Sequence, residues 1–293
     1  MRILILGGDG MLGHALLGAL APAHDVRVTL RQPVAAYRAM GVFSERNAIG
    51  DVDALRWDRV EETIRAAEPQ VVINGVGLVK QRPEASTPAL AIRINSLFPH
   101  EVGALCEQIG ARLIHFSTDC VFSGRVGGYR ETDVPDPVDL YGRSKLLGEV
   151  ASRRALTLRT SIIGLELAHK TGLVEWFLAQ RGTIRGFRRA IYSGLTTLEM
   201  GRLVAQLVER HADLHGVWHV ASSPVSKYDL LVLFRRLLGR TDVEIVPDDA
   251  LVCDRSLQAD AFHAATGYGP PDWDAMLHEL ADQVQRRGRG GTA

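Results

Sequence analysis

Cysteine is scarce in this chain of 293 residues: Cys106, Cys120 and Cys253 are odd in number and scattered. They form no CxxC pair and no metal-ligand spacing, which excludes a disulfide-stapled secreted fold and fits reduced thiols in a cytosol. They read as core or bystander residues. Charge of one sign is not in excess either. Lys plus Arg and Asp plus Glu both number 34, so no global field favours nucleic acid or an anionic membrane, and neither is expected as a partner. No apolar run reaches the length that spans a bilayer, and no internal repeat is visible. The opening MRILILGG has an apolar run of only four residues before a glycine-rich turn, so it reads as a strand rather than a signal peptide, and a cytoplasmic location is expected. Asp248, Asp249, Asp254 and Asp260 lie at irregular spacing on a polar stretch and read as surface charge; no metal is expected.

With 46% hydrophobic and 23% charged residues, the composition is that of a globular chain with one sizeable core and a smaller second lobe. Arg2 to Leu6 has the pattern of a buried strand. Gly7, Gly10 and Gly13 follow, and then Ala15, Leu16, Ala19 and Leu20 recur at helical spacing. Strand, glycine turn and helix together make a site where backbone approaches a pyrophosphate at a helix N-terminus, whose unpaired N–H groups favour anions. Val26 to Leu30 reads as the second strand. The acidic residue that would take the ribose hydroxyls of NAD is missing from its end, where the chain reads Leu30, Arg31, Gln32. Arg31 offers a cation for a 2′-phosphate, which favours NADPH over NADH; the competing reading is a solvated arginine.

The stretch from Phe116 to Glu149 organises the rest. Leu113 to Phe116 reads as a buried strand with Ser117, Thr118 and Asp119 at its carboxyl end, where open α/β sheets bind ligands. A Gly-, Pro- and Asp-rich loop then enters a helix at about Asp139, and Tyr141 and Lys145, four apart, share one face of it. A tyrosine is a poor acid and base near neutrality, and a fixed cation such as Lys145 lowers its pKa. Thr118 is placed to hold a substrate oxygen against Tyr141, which delivers the proton while a cofactor delivers a hydride. Tyr-x-x-x-Lys is common on helices. Gly142 and Gly148, each unfavourable by about 1 kcal/mol in a helix interior, point instead to close approach of another backbone or a ligand.

Between these segments, Asp51 to Ala54 reads as the end of a third short strand near the adenine, Val60 to Ala67 as a helix, and Val71 to Ile73 as a fourth strand. Asn74-Gly75-Val76-Gly77 follows, small enough to pass close to a cofactor, with Lys80 facing the substrate. Thr87 and Pro88 are the N-cap and first residue of a helix in which Asn95 is either exposed or bonded to the active-site backbone. Farther on, Leu156 to Thr160 is a sixth strand and Gly172 to Gln180 an amphipathic helix over the pocket. Arg181, Arg185, Arg188 and Arg189 read either as diphosphate ligands or as solvated charge. Thr196 to Glu199 has the spacing of a capping box, and Ser226 with Asp229 starts another helix. His219 and Tyr228 read as structural. Asp272 to Gln285 is a final helix, followed by RRGRGGTA as a disordered tail.

The motifs GGDGMLG, STD and YGRSK together resemble the extended short-chain dehydrogenase/reductases. Within that group, STDCVFSG, YRETD and DLYGRSKLLGE are similar to the dTDP-4-dehydrorhamnose reductases and related nucleotide-sugar 4-ketoreductases, through residue 165 and more weakly to about 238. The resemblance implies a doubly wound, mostly parallel Rossmann sheet over residues 1–165, with a return segment near 191–212. A smaller α/β substrate lobe covers 166–293. It implies Thr118, Tyr141 and Lys145 as the catalytic set. It also implies cofactor contacts from Gly7, Gly10, Met11, Leu12, Arg31, Asp53, Ala54, Gly75, Gly77, Tyr141 and Lys145. Two positions depart from the pattern: Cys120 replaces a tyrosine, and Ile162 stands where the rhamnose-forming enzymes carry an aromatic residue near the sugar.

The expected activity is NADPH-dependent reduction of a nucleotide-linked 4-keto-6-deoxysugar, NADH being the second choice of cofactor, for polysaccharide or deoxysugar precursors. A homodimer is the prior on symmetry grounds. Two alternatives keep the fold. One is an epimerase or dehydratase recycling bound NAD, against which Arg31 counts. The other is a non-catalytic dinucleotide-binding subunit resembling the regulatory β subunit of methionine adenosyltransferase, against which the intact trio counts.

Overall fold

Five strands in the first half and two in the second form a single parallel sheet in the computed structural model, which describes residues 1–81, 83–168 and 170–290. The strands are β1 (Arg2–Leu6), β2 (Asp25–Thr29), β3 (Ala48–Ile49), β4 (Val71–Asn74), β5 (Arg112–Phe116) and β6 (Ala155–Arg159). Gly216–His219 pairs outside β6 as the seventh, and the order is β3-β2-β1-β4-β5-β6 followed by that strand. Both β4 and β6 are buried along their whole length. β4 is a continuous apolar run over Val71–Ile73, whereas in β6 Leu156 and Leu158 alternate with Thr157 and Arg159, whose polar groups are hydrogen-bonded. The order reverses between β1 and β4, which opens a crevice at the carboxyl ends of those two strands.

Alternate residues of β1 serve different layers. Ile3 and Ile5 join a core with Leu16, Leu20, Leu203 and Leu207, while Leu4 and Leu6 join one with Val60, Ile64, Val102 and Leu105. Helices α1 (Met11–Leu20), α2 (Trp57–Ala67), α3 (Pro88–Ile92), α4 (Phe98–Ile109) and α5 (Leu140–Leu147) alternate with the strands. Then come α6 (Leu173–Ala179), α7 (Thr197–Arg210), α8 (Lys227–Leu237), α9 (Asp260–Thr266) and α10 (Trp273–Gly290). The helix α7 returns to the first lobe, where an added methyl at Gly201 would lie 2.8 Å from the Ala19 Cβ of α1.

Helix starts follow their sequence signals. Thr196 caps α7 by accepting from the Glu199 amide at 3.4 Å, and Ser226 caps α8 by accepting from the Asp229 amide at 2.9 Å. The expected capping box at α7 closes on one side only. Glu199 accepts from the Tyr268 hydroxyl (2.8 Å) and pairs with Arg202, so tertiary partners take the carboxylate that would have reached back to the cap.

Three expectations are corrected. The third strand is Ala48–Ile49 and not Asp51 to Ala54, because Gly50 ends it and Asp51 turns through a left-handed conformation at φ 58°. The supposed tail begins inside α10, which continues through Gly290; Arg287 is held there by the buried carboxylate of Glu175 on α6, at 2.5 Å. Residues 291–293 lie outside the described residues. Lastly, three arginines of the cluster are not free for a diphosphate. The strands Gly182–Phe187 and Val243–Asp248 pair in parallel, so Arg181, Arg185 and Arg188 meet Asp242, Asp248 and Asp249 at the surface.

What positions α5 is backbone contact. A methyl added at Gly142 would lie 2.2 Å from the Cys120 carbonyl oxygen, and one at Gly148, just beyond the helix, 1.9 Å from the Asn95 carbonyl oxygen. Neither backbone partner has room to yield. Gly142→Ala, a change that gains about 1 kcal/mol in an open helix, is expected here to lower stability by about 1–3 kcal/mol through overpacking. Urea denaturation measures this, and an alanine variant as stable as the native chain would contradict the contact.

Candidate active site

At the carboxyl end of β5 the chain runs through Ser117 and Thr118 into a short 3-10 turn, Asp119–Val121. Thr118 caps that turn. Its Oγ1 accepts from the Cys120 amide at 3.1 Å and donates to Asp119 Oδ1 at 3.1 Å, which fixes the hydroxyl at the strand end. Asp139, the expected helix start, caps α5 by accepting from the Gly142 amide at 2.7 Å. Since Gly142 presses on Cys120, the first turn of α5 lies against the 119–121 turn, and Tyr141 comes beside Thr118.

Lys145, one helical turn on, is buried, and its Nζ donates to the Phe116 carbonyl oxygen at 2.6 Å. Burial pulls its pKa down to about 8, with the Glu149 carboxylate opposing. That carboxylate is itself fixed. Arg159 of β6 donates to it through Nε (2.8 Å) and a terminal nitrogen (2.9 Å), and Ser117 Oγ adds a third donor at 2.6 Å. Arg159 also lies over the Phe122 ring at 5.4 Å and touches His219, whose other ring nitrogen meets the Tyr129 and Gln258 carbonyls. The histidine is therefore structural.

The balance on Tyr141 differs from the sequence expectation. Burial pushes the phenol well above its ordinary value, Cys120, Asp119 and Asp139 add to the rise, and the opposing influence is the Thr118 hydroxyl. The cation expected to depress it is turned to the Phe116 carbonyl. Tyr141 thus holds its proton firmly in the ligand-free cleft, which suits a proton donor.

Thr118, Tyr141 and Lys145 line one cleft of about 550 Å³ together with Met11, Leu12, Gly75, Gly77 and Lys80. The glycine turn lies at its edge. Gly7 has φ +80° and sits against Val76, where an added methyl would come within 3.1 Å of the Val76 side chain. A methyl at Gly13 would lie 2.1 Å from the Gly7 carbonyl oxygen, so helix and strand meet at backbone distance. The N-terminus of α1, capped by Gly10, receives no side-chain hydrogen bond. Arg31 is exposed after β2, and Asp53 and Ala54 are half-buried in the turn after β3, where Asp53 Oδ1 accepts from the Leu55 amide at 2.9 Å. These three stand apart from the lining of the cleft.

Asn95 resolves in favour of the active-site backbone. It is buried in a π-helical segment, Arg93–Leu97, between α3 and α4. Its Oδ1 accepts from the Leu78 amide (2.8 Å) and its Nδ2 donates to the Leu78 carbonyl (3.0 Å) and to Ser144 Oγ of α5 (3.1 Å). Sequence reasoning missed the far wall: Tyr192, Lys227, Cys253 and Arg255 also line the cleft. Three short strands put them there, Ala190–Tyr192 between Val225–Ser226 and Cys253–Asp254. No local signal marks them, because strands of two or three residues carry no periodicity to read.

The sequence matches the family described as the RmlD substrate binding domain over residues 1–286. Among curated proteins it is 28% identical over 277 residues to a probable low-salt glycan biosynthesis reductase, Agl14, of Haloferax volcanii, covering 89% of this chain and 85% of that one. It is 25% identical over 303 residues to the dTDP-4-dehydrorhamnose reductase of Aggregatibacter actinomycetemcomitans, covering 95% and 98%. The match to the dTDP-4-dehydrorhamnose reductase of Salmonella typhimurium, at 30% identity, spans 55% of this chain and 51% of that one. In fold it is similar to a dTDP-4-dehydrorhamnose reductase from Clostridium acetobutylicum, with TM-score 0.79, 22% identity, and 97% and 100% of the two chains covered. It is also similar to the Bacillus anthracis dTDP-4-dehydrorhamnose reductase in complex with NADP, with TM-score 0.79, 21% identity, and 97% and 99% covered. With its glycine turn, its Thr118, Tyr141 and Lys145 in one cleft and its seven-stranded sheet, the chain belongs to the RmlD substrate binding domain family.

Proposed function

We propose that this chain is an NADPH-dependent reductase of a nucleotide-linked 4-keto-6-deoxysugar. The observation that carries the reading is the convergence of Thr118, Tyr141 and Lys145 in a cleft also lined by Met11 and Leu12, the residues that follow the glycine turn. The names of the relatives, reductases of dTDP-4-dehydrorhamnose and of glycan biosynthesis, support the substrate class.

The residues fit a dinucleotide. The uncapped N-terminus of α1 leaves backbone donors for a pyrophosphate, and Gly7 and Gly10 keep side chains out of its way. Met11 and Leu12 would flank it, Gly75 and Gly77 after β4 would allow close approach, Asp53 and Ala54 would take the adenine and Arg31 a 2′-phosphate beyond the lining of the cleft. Tyr141 and Lys145 would complete the set. When bound, the nicotinamide supplies a hydride.

This chain's own groups do the rest. Thr118 and Tyr141 hold the carbonyl oxygen between two hydroxyls, and Tyr141 gives it a proton as negative charge develops there. Lys145, whose charge Glu149 favours, lies one helical turn away and stabilises the phenolate that remains by turning its ammonium from the Phe116 carbonyl toward Tyr141. Cations for the substrate diphosphate come from Lys80, Lys227 and Arg255 in the cleft, in place of the arginines that pair on the surface.

Tyr141→Phe is expected to lower kcat by about 10²–10⁴-fold and leave NADPH affinity nearly unchanged. NADPH oxidation against dTDP-, UDP-, GDP- and CDP-linked 4-keto-6-deoxysugars tests the reading and names the nucleotide; a fully active phenylalanine variant would remove Tyr141 from the reaction. Lys145 gives a second expectation. Its folded-state pKa of about 8 lies below the ordinary 10.5, so between those values the unfolded chain binds more protons. Stability contributed by this site therefore rises with pH across that window, and the burial penalty is in full force below it. In urea denaturation at pH 8 and pH 10, the native chain should gain stability relative to Lys145→Met, and a pH-independent difference would contradict the buried ammonium.

A further inference from the structure

The far wall of the cleft holds a polar atom without an assignment. The hydroxyl of Tyr192 is buried, has no hydrogen-bond partner among the described residues, and belongs to a side chain that is 8% exposed and lines the cleft. Buried phenols ordinarily find a partner, and one facing a cleft without a protein partner is placed for a ligand. The ring cannot swing away to find another. It packs on Trp273 with centroids 5.2 Å apart, and Trp273 is pinned by an indole hydrogen bond of 2.8 Å to the Ser223 carbonyl. The backbone of Tyr192 is paired with Val225, and its strand with Cys253–Asp254 on the other edge.

Asp119, the residue after Thr118, lines the same cleft as Tyr192. Burial raises the Tyr192 phenol's pKa, and the Asp119 charge raises it further. Asp119 is itself buried. A sugar carbonyl seated on Thr118 and Tyr141 thus has Asp119, which accepts from Thr118, beside it, and Tyr192 lines the same cleft. Ile162, Leu173 and Ile191 make part of the wall apolar, and Tyr192 and Asp119 are among the polar groups left for hydroxyl recognition.

We propose that Tyr192 is a specificity-determining residue whose phenol hydrogen-bonds a substrate hydroxyl on the carbon next to the reacting carbonyl. The assignment rests on the reductase reading above and selects, within it, sugars hydroxylated at that carbon over deoxygenated ones. A site built to bond a hydroxyl discriminates strongly against the analogue that lacks it, because its own polar groups are then left unpaired.

The test is Tyr192→Phe, which keeps the ring on Trp273. It compares a nucleotide-linked 4-keto-6-deoxyhexose bearing the adjacent hydroxyl with its counterpart deoxygenated there. Two readouts are taken: kcat/KM from NADPH oxidation, and calorimetric affinity for the matching non-reacting 4-hydroxy nucleotide sugars. For the hydroxylated pair, kcat/KM and affinity should fall by about tenfold to a hundredfold, and for the deoxygenated pair by less than about threefold. Thermal stability without ligand should be unchanged or higher, whereas a hydroxyl with a structural role would lower it on removal. An equal loss for both sugars, or none for the hydroxylated one, overturns the assignment. If no sugar consumes NADPH yet affinity for the hydroxylated sugar still depends on Tyr192, the reductase reading falls and the subsite stands.

Discussion

The cleft depends on two places where backbone touches backbone. Gly142 seats α5 on the Cys120 carbonyl and Gly148 seats its far end on the Asn95 carbonyl, so the helix bearing Tyr141 and Lys145 is located by main chain at both ends. The π-helical segment adds a third tie. Its wider turn interrupts the α3 to α4 run and lets the Asn95 side chain grip the Leu78 backbone and Ser144 together. One residue thereby couples the loop after β4, which borders the cofactor side, to the catalytic helix.

Electrostatics then act on a frame already set. Glu149 and Arg159 are both buried and bonded in a bidentate pair, with Ser117 as a further donor. Such a pair is weak evidence for stability, since taking both ions out of water offsets most of their attraction. Its effect here is on Lys145, whose charge Glu149 favours against burial. Tyr141 is biased the other way, toward keeping its proton. The cleft accordingly holds an acid that gives up its proton only when negative charge develops next to it, and an ammonium whose pKa burial draws down to about 8.

Much of this was legible locally. The glycine turn, the burial of β4 to β6, the caps at Asp139, Thr196 and Ser226, and the spacing of Tyr141 and Lys145 are encoded over a few residues, where propensity and hydrogen bonding act directly. Even the unfavourable glycines of the catalytic helix announced a close approach, although not what approached. Other features depended on partners distant in sequence. The helix α10 runs on through a basic, glycine-containing stretch that reads as a tail, with Arg287 reaching a buried carboxylate 112 positions away. The arginines near residue 185 look like a phosphate site until strand pairing brings aspartates from the 240s beside them.

The sequence by itself determined the parallel sheet, the glycine turn and the placing of Tyr141 and Lys145 on one helix face, because each is written in contiguous residues with a conformational or chemical requirement of their own. Tertiary structure alone decided the environment that shifts Tyr141 and Lys145, and the far wall. A pKa depends on burial and on charges brought from other elements, and Tyr192, Lys227 and Arg255 share a cleft only because three short strands pair across the smaller lobe.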